Sequence, residues 1–152
     1  MDLAKYLHDS SDEILGASTA AIGRSLLKNY ELAGKEQTHQ RLKALFVLTT
    51  RAVKERNLGP MVAYAETIAR DRFAAGFDLS EVQTAFNVLE EATWTCIVKG
   101  LPPAEYGEAL GLVSTVLGAG KDALARTYVT LASKSRTSSL NLQTLFSGTA
   151  GV

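Results

Sequence analysis

The stretch ARDRFAAGFDLSEVQTAFNVLEEATW, residues 69–94, predicts two helices joined by a sharp turn. Gly76 can adopt the left-handed conformation that closes a helix, and Asp78 follows as the N-cap of the next helix. Glu81 stands three residues after Asp78 and completes a capping box. Phe77 occupies the position before the cap, where an apolar side chain packs onto the first turn. Because these local signals agree on one boundary, we predict a helical hairpin at this point and build the rest of the fold around it.

Length and composition favour one globular domain. The chain has 152 residues, of which 46% are hydrophobic and 21% charged, and a chain of this size buries roughly two thirds of its unfolded surface. Its 16 acidic and 16 basic residues cancel, so no positive excess attracts nucleic acid or anionic lipid. We therefore expect neither nucleic acid nor a membrane as a partner. A formal charge near zero also permits self-association.

The spacing of apolar residues predicts an all-α antiparallel bundle of about five helices. A short leading helix or arm covers residues 1–9, and the main helices are predicted at residues 12–32, 37–57, 60–75, 79–99 and 104–133. The last helix would be about 45 Å long, which is long for so small a domain. We predict a helical sensory or dimerisation domain over residues 1–133. A Ser/Thr-rich tail or linker follows at 134–152, with a flexible joint at 136–139 and then a short docked apolar segment.

Arg72 lies on the apolar face of the predicted helix 60–75. A guanidinium on such a face is costly unless it is paired or reaches solvent along its own stem. With the hairpin folded back, Arg72 is expected level with Glu81. We therefore interpret Arg72, together with Phe77, Asp78 and Glu81, as a structural anchor of the turn. The alternative is that Arg72 anchors the carboxylate or phosphate of a ligand.

Five residues are candidates for an interface or a ligand-facing surface. Trp94 projects away from the core stripe of its helix, where it is expected to pack within the domain, at a dimer seam or at the rim of a pocket. The long last helix carries Leu112, Val116, Ala119 and Ala123 beside its own core stripe. Their small side chains let another backbone approach closely, either inside the domain or in a symmetric dimer.

No constellation of catalytic or metal-ligating residues stands out. His8 and His39 lie in separate segments, without cysteine or carboxylates at ligand spacing. We therefore predict a non-enzymatic protein with no metal, no cofactor and no catalytic residue. Haem held by His39 is the one cofactor that an all-helical fold leaves conceivable, and an enzyme would need an unrecognised site around Arg72, Tyr64 and Glu90.

Cys96 is the only cysteine and lies in a strongly periodic helical stretch. We interpret it as a small buried hydrophobic residue. One unpaired cysteine and the absence of a charged-then-apolar leader lead us to expect a cytoplasmic protein. The most apolar run, residues 109–120, is too short to span a bilayer.

A set of residues in the predicted helices forms a recognisable pattern. It consists of Arg41, Leu45, Phe46, Tyr64, Ala65 and Arg72, then Gly76, Phe77, Leu79, Ser80, Glu81 and Val82 at the turn, then Phe86, Leu89 and Trp94. The pattern resembles the N-terminal domains of bacterial RsbT co-antagonist proteins, the RsbRD-type sensory domain. Residues 145–149, LFSGT, resemble the segment where such domains hand over to the next module.

The resemblance implies an all-helical, often dimeric input domain, globin-like in style, of a signalling protein. We expect a regulatory domain of the stress-response type that forms a homodimer, senses a ligand or protein partner and uses its last helix as output. The residues phosphorylated in such systems belong to output domains, so none is assigned here. The sequence ends at Val152 without an output module, so we expect a piece of a longer regulator or a domain that acts by binding partners. A small-molecule or haem-type carrier, with an internal pocket between main helices two to four, is the alternative.

Overall fold

The computed structural model describes residues 1–25 and 27–139, with side chains described as far as Lys134. All regular elements of these ranges are helical, and a 3-10 turn at Pro103–Glu105 precedes the last helix. The helices are α1 Leu3–Asp9, α2 Ser11–Arg24, α3 Lys28–Ala33, α4 Lys35–Glu55, α5 Gly59–Ala74, α6 Leu79–Gly100 and α7 Tyr106–Ser139. The predicted all-α bundle with a long C-terminal helix is confirmed, with seven helices in the described ranges instead of about five.

The predicted helix 12–32 is wrong as a single element, because it is interrupted between α2 and α3. The Ser25 hydroxyl donates back to the Ala21 carbonyl at 2.8 Å, and Leu27 has extended backbone dihedrals. The break lets α3 run in a new direction and brings Tyr30 to the core, where it is 5% exposed.

The last helix is longer than predicted. It contains 34 residues, about 50 Å at 1.5 Å per residue, and passes the predicted end at Ser133 without interruption. The residues at 136–139, predicted to form a flexible joint, belong to this helix. Neither glycine nor proline occurs between Lys121 and Ser139, so no backbone signal ends the helix there. The predicted docked segment of the tail lies outside the described residues.

The turn after α5 forms as the sequence predicts. Gly76 has a φ of +84°, and its N–H donates to the Phe73 carbonyl at 3.1 Å. The Phe77 N–H donates to the Arg72 carbonyl at 2.9 Å. These two bonds make a Schellman motif, which pairs the carbonyls that the end of a helix otherwise leaves unpaired. Phe77 is thereby fixed next to the last turn of α5.

The capping box that begins α6 is also confirmed. The Glu81 carboxylate accepts a hydrogen bond from the Asp78 N–H at 3.0 Å, and the reciprocal half of the box is present. However, α5 and α6 do not pack as a tight hairpin. α5 packs mainly against α7, whereas α6 packs against both α2 and α7, so the turn joins two helices that α7 separates.

α7 is the central helix, in contact with α5, α6 and α4. Its buried apolar residues are Ala109, Val113, Val116, Leu117, Ala123, Leu124 and Tyr128. Gly120 lies at the closest approach, since a Cβ atom built there would be 2.7 Å from Cε1 of Phe86 on α6 and 3.0 Å from the sulfur of Met61 on α5. The three helices meet closely because this position has no side chain.

The N-terminal helices cover the other side of α6. α2 packs against α6 and α4, and the Tyr6 hydroxyl of α1 donates to the Cys96 carbonyl at 2.7 Å. Cys96 is 4% exposed, so its interpretation as a buried small residue is confirmed. None of the helices in the described ranges combines the length and apolar character of a membrane span.

Candidate functional site

Two arginines from different helices lie next to one aromatic ring at the α5–α6 turn. The guanidinium carbon of Arg41 on α4 is 5.4 Å from the centroid of the Phe77 ring, and that of Arg72 on α5 is 5.6 Å from it. Both distances are within the range of cation–π attraction. The ring of Tyr30 meets Phe77 edge-on, with centroids 5.5 Å apart. We call Arg41 and Arg72 the arginine pair.

Local structure positions each member of this group. The Schellman bond from the Phe77 N–H to the Arg72 carbonyl keeps both residues adjacent. Arg41 precedes the buried Leu42 on α4 and lies one turn before Leu45, so its stem runs along the buried face of the helix. The Tyr128 hydroxyl of α7 donates to the Phe77 carbonyl at 3.0 Å. Phe77 is therefore held by contacts from α4, α5 and α7 together.

The arginine pair has no acidic partner within the described part of the chain. No carboxylate there lies within 4.0 Å of either guanidinium. Nη1 of Arg41 is buried and without a hydrogen-bond partner among those residues. Its Nη2 donates to the Gln37 amide oxygen at 3.2 Å when that amide is oriented to satisfy both of its atoms. Burial, and then the charge of Arg72, lowers the pKa of Arg41, although a guanidinium keeps its charge in proteins.

A small cleft of about 20 Å³ adjoins the arginine pair. It is lined by Tyr30, Arg41, Leu42, Leu45, Tyr64, Ile68, Arg72, Val82, Ala85 and Phe86. Burial raises the pKa of Tyr30 to about 12 and also raises the pKa of Tyr64, so both phenols are neutral at physiological pH. The cleft combines two cations, two neutral hydroxyl groups and apolar walls, and it lies among the helices where the carrier alternative places its pocket.

Glu81 is not the partner of Arg72 that the sequence suggests. Its carboxylate accepts from the Asn29 N–H at 3.2 Å and from the Asn29 amide nitrogen at 2.7 Å, so it ties α6 to α3. Burial alone would raise the pKa of Glu81, but the hydrogen bonds from Asn29 and from the Asp78 N–H outweigh it and lower the pKa. The residues predicted to form one structural anchor therefore act separately: Asp78 and Glu81 cap α6, whereas Arg72 contacts the Phe77 ring.

The second candidate surface lies around Trp94, whose side chain is 43% exposed. Val98, one turn further along α6, is 49% exposed. The Ser114 hydroxyl of α7 donates to Glu90 at 3.2 Å, and α6 and α7 run antiparallel, so Trp94 lies level with residues 107–111 of α7. The two glycines at the ends of that range have no atom within 4 Å of a Cβ built on them. This surface therefore presents exposed apolar side chains on α6 and unoccupied space beside the glycines of α7.

The five predicted interface residues do not form one surface. Val116 and Ala123 are 3% and 2% exposed, because α7 packs against three helices, so a second copy could reach them only if α7 repacked. Leu112 is half-buried and lines a groove of about 330 Å³ beside α1 and α4. Ala119 is half-buried. Trp94 remains the one large apolar side chain of the set that is exposed.

Arg41 was not singled out as a site residue by sequence reasoning, although the signal for it existed. It stands on the apolar face of its helix, as Arg72 does on its own. A search for every cation on an apolar stripe would have found both. The histidines lie elsewhere: His8 and His39 line a surface groove of about 520 Å³, and the described residues contain no group of three or more His, Cys, Asp or Glu that could hold a metal ion.

Comparison with known proteins tests the resemblance directly. A family model described as the RsbT co-antagonist protein RsbRD N-terminal domain matches residues 9–136. The match includes the arginine pair, the α5–α6 turn and Trp94. No curated protein and no solved structure matches the chain. Since the family model covers most of the sequence, the chain belongs to the RsbT co-antagonist RsbRD N-terminal domain family.

Proposed function

We propose that this domain is the homodimeric, non-enzymatic input domain of a stress-response regulator, which receives a signal within its bundle and passes it on through α7. The general role follows from the family, whose members are regulatory domains of stress-response signalling. Sensing, dimerisation and output through α7 to a downstream protein are the proposed refinements.

The observation that carries the dimer is the exposure of Trp94. An indole that is 43% exposed, next to the half-exposed Val98, leaves an apolar patch in water that association would bury. The glycines of α7 level with Trp94 leave room for a second helix to approach. A twofold arrangement needs only one such self-complementary patch on each protomer.

The exposure of α7 supports its role as the output element. Tyr128 is the last buried residue of α7 among those described, and residues 129–134 are half-buried or exposed. The helix therefore continues past the core, where a following module or a protein partner can contact it. The predicted division into a sensory domain, 1–133, and a tail, 134–152, is kept as a proposal, with α7 crossing that boundary.

The test is the mass in solution, measured by light scattering. We expect wild type at twice the chain mass of 16.3 kDa and Trp94→Ala shifted toward the monomer. Val47→Ala is the matched control, because Val47 is 55% exposed on α4, away from α6. Circular dichroism must show an unchanged helix content in each variant. A monomeric wild type, or a dimer unaffected by Trp94→Ala, would contradict the proposal.

A second variant tests whether the proposed dimer interface extends along α7 beyond the Trp94 surface. Ala119→Arg adds a long cation to a half-buried position of α7. We expect it to weaken the dimer because a charge at an apolar interface must be desolvated. If the folded variant remains as dimeric as wild type, this part of α7 lies outside the interface.

The carrier alternative is not favoured by the cavity between the helices. The cleft of about 20 Å³ is far smaller than the roughly 300–1,000 Å³ of typical small-molecule sites, and His39 does not line it. A carrier with its pocket between these helices would therefore need a large rearrangement of α4, α5 and α6. An absorbance spectrum of the purified protein with a Soret band would reverse this judgement.

A further inference from the structure

We propose that the arginine pair, Arg41 and Arg72, binds the carboxylate group of a small organic anion in the cleft beside Phe77. That this anion is the signal received by the domain rests on the function proposed above. That the anion binds at the arginine pair does not depend on that function.

The first argument is the unbalanced charge. Elsewhere in the described chain, Lys5, Arg51, Arg56, Lys99, Lys121 and Arg126 form ion pairs within the protein. The cations without an ion pair, such as Arg24, Lys43 and Arg70, are exposed to water. The two half-buried arginines beside Phe77 are the ones that would gain most from such a partner, because desolvation makes an unpaired charge costly. They nevertheless lie near each other with no carboxylate in reach among the described residues. An anion from outside the chain would compensate both.

The second argument is the buried donor on Arg41. Its Nη1 has no hydrogen-bond partner among the described residues. Nearly all buried polar groups in folded proteins are paired, because an unmade bond leaves the cost of desolvation uncompensated. The π face of Phe77 attracts the cation but offers no oxygen acceptor to an N–H group. The missing partner is therefore an acceptor, and the lining of the cleft supplies two cations and two phenols but no carboxylate.

The third argument is the size and shape of the cleft. About 20 Å³ accommodates only a group of roughly the size of one or two waters. A carboxylate is planar, and its two oxygens match the two parallel N–H groups of a guanidinium. Phosphate is bulkier, tetrahedral and more strongly hydrated. Arg72 and Tyr64 are only half-buried, so the remainder of a small organic acid can extend past them toward solvent.

The repulsion within the arginine pair indicates why the site would respond to its ligand. The charge of Arg72 lowers the pKa of Arg41, which means that the two cations repel each other. A bound carboxylate between them turns this repulsion into two attractive contacts. Occupancy would then draw α4 and α5 toward the same group at the turn that leads into α6.

The experiment is a titration of the whole chain with sodium acetate, followed by the arginine side-chain Nε–H signals in NMR spectra at constant ionic strength. Sodium chloride and inorganic phosphate are titrated in parallel. We expect a saturable shift with acetate that chloride does not produce, and weaker binding of phosphate. No saturable acetate shift, or tighter binding of phosphate, would overturn the proposal of a carboxylate site.

Variants show whether the shift arises at the arginine pair. Arg41→Gln and Arg72→Gln are each expected to weaken acetate binding at least about tenfold, the typical effect of losing a charge-assisted hydrogen bond. Arg51→Gln on α4 and Arg70→Gln on α5 are matched controls, because both positions are exposed, and they should leave binding unchanged. Arg41→Lys keeps the charge without the planar fork, so a folded Arg41→Lys variant that binds acetate as wild type does would contradict the proposed geometry.

Light scattering on the same samples separates this inference from the proposed dimer. Acetate binding by a monomeric wild type would support the site and reject the dimeric input domain. A dimer that shows no acetate binding would reject the site and leave the dimer standing.

Discussion

Phe77 joins more elements of this fold than any neighbouring residue of the turn. Its N–H closes α5 on the Arg72 carbonyl, and its own carbonyl accepts the hydroxyl of Tyr128 from α7. Its ring receives the guanidinium of Arg41 from α4 and the edge of Tyr30 from α3. A change in any of these groups therefore alters a contact of Phe77, whose side chain is 9% exposed.

Gly120 is the residue where the closest helix packing can be tested. In Gly120→Ala the new methyl group would lie 2.7 Å from Cε1 of Phe86 and 3.0 Å from the sulfur of Met61. Overpacking of this kind costs about 1–3 kcal/mol, of which the better helix propensity of alanine offsets at most about 1 kcal/mol. We expect a lower free energy of unfolding, measured by urea denaturation.

Gly118→Ala is the matched control for that substitution. It lies on the same helix, and a Cβ built at Gly118 meets no atom within 4 Å. The change should therefore stabilise the protein by up to about 1 kcal/mol through helix propensity alone. If both alanine variants shift the free energy of unfolding in the same direction, the close approach at Gly120 is not a constraint on the fold.

Between elements, Glu81 makes the connection that holds α3 against α6. Its carboxylate accepts two hydrogen bonds from Asn29 and one from the Asp78 N–H, and these bonds hold its pKa below the ordinary value of 4.5. Because the folded state favours the ionised form, this stability is present above the unfolded pKa and is lost as the pH falls through the folded pKa. The connection should therefore weaken only in acid.

Glu81→Gln tests this connection through its pH dependence. Hydrogen bonds to a charged group contribute about 1.5–3 kcal/mol, so we expect a loss of that order at neutral pH. Below the folded pKa the variant and wild type should converge. Urea denaturation at several pH values measures this, with the exposed Glu91→Gln on the same helix as control. A difference that does not change with pH would show that the charge of Glu81 contributes nothing.

Elements whose ends are set by local chemistry were predicted well. The turn at Gly76 and the capping box of Asp78 and Glu81 depend only on neighbouring backbone groups, and both form. The break before α3 was missed because it depends on Tyr30 packing against Phe77, which is distant from it in the sequence. Apolar periodicity does not encode this contact.

The surfaces of α7 show what helical spacing alone cannot predict about the packing of helices. Helical spacing correctly separates core from edge only when the number of neighbouring helices is known. With α4, α5 and α6 all against α7, a face for which the sequence allows either packing inside the domain or contact with a second copy is used inside the chain, and Val116 and Ala123 are buried. The partner of Arg72 was mispredicted for the same reason, because the α5–α6 turn does not close a tight hairpin.

In the molecule as a whole, the arginine pair and the outgoing end of α7 are connected by contiguous contacts. Phe77 receives both guanidiniums, Tyr128 donates to the Phe77 carbonyl, and the Tyr128 ring packs edge-on against Phe73 with centroids 5.6 Å apart. Beyond Tyr128, α7 has no further buried residue among those described. A signal received at the turn would thus reach α7 at the point where the helix leaves the core.

Tyr128→Phe tests this connection by removing one hydroxyl and keeping the ring. The Phe77 carbonyl then loses its donor, and a lost hydrogen bond of this kind costs about 1 kcal/mol, which corresponds to roughly fivefold faster opening. We expect hydrogen exchange to accelerate by about this factor at the amides of residues 125–134, because local stability depends on such contacts.

Tyr106→Phe is the matched control, since the Tyr106 hydroxyl donates to the Val98 carbonyl at 2.7 Å at the other end of α7. Its effect should stay near the start of α7. If Tyr128→Phe leaves exchange at residues 125–134 unchanged, the turn does not control the end of α7, and the proposed route from the arginine pair to the output helix fails.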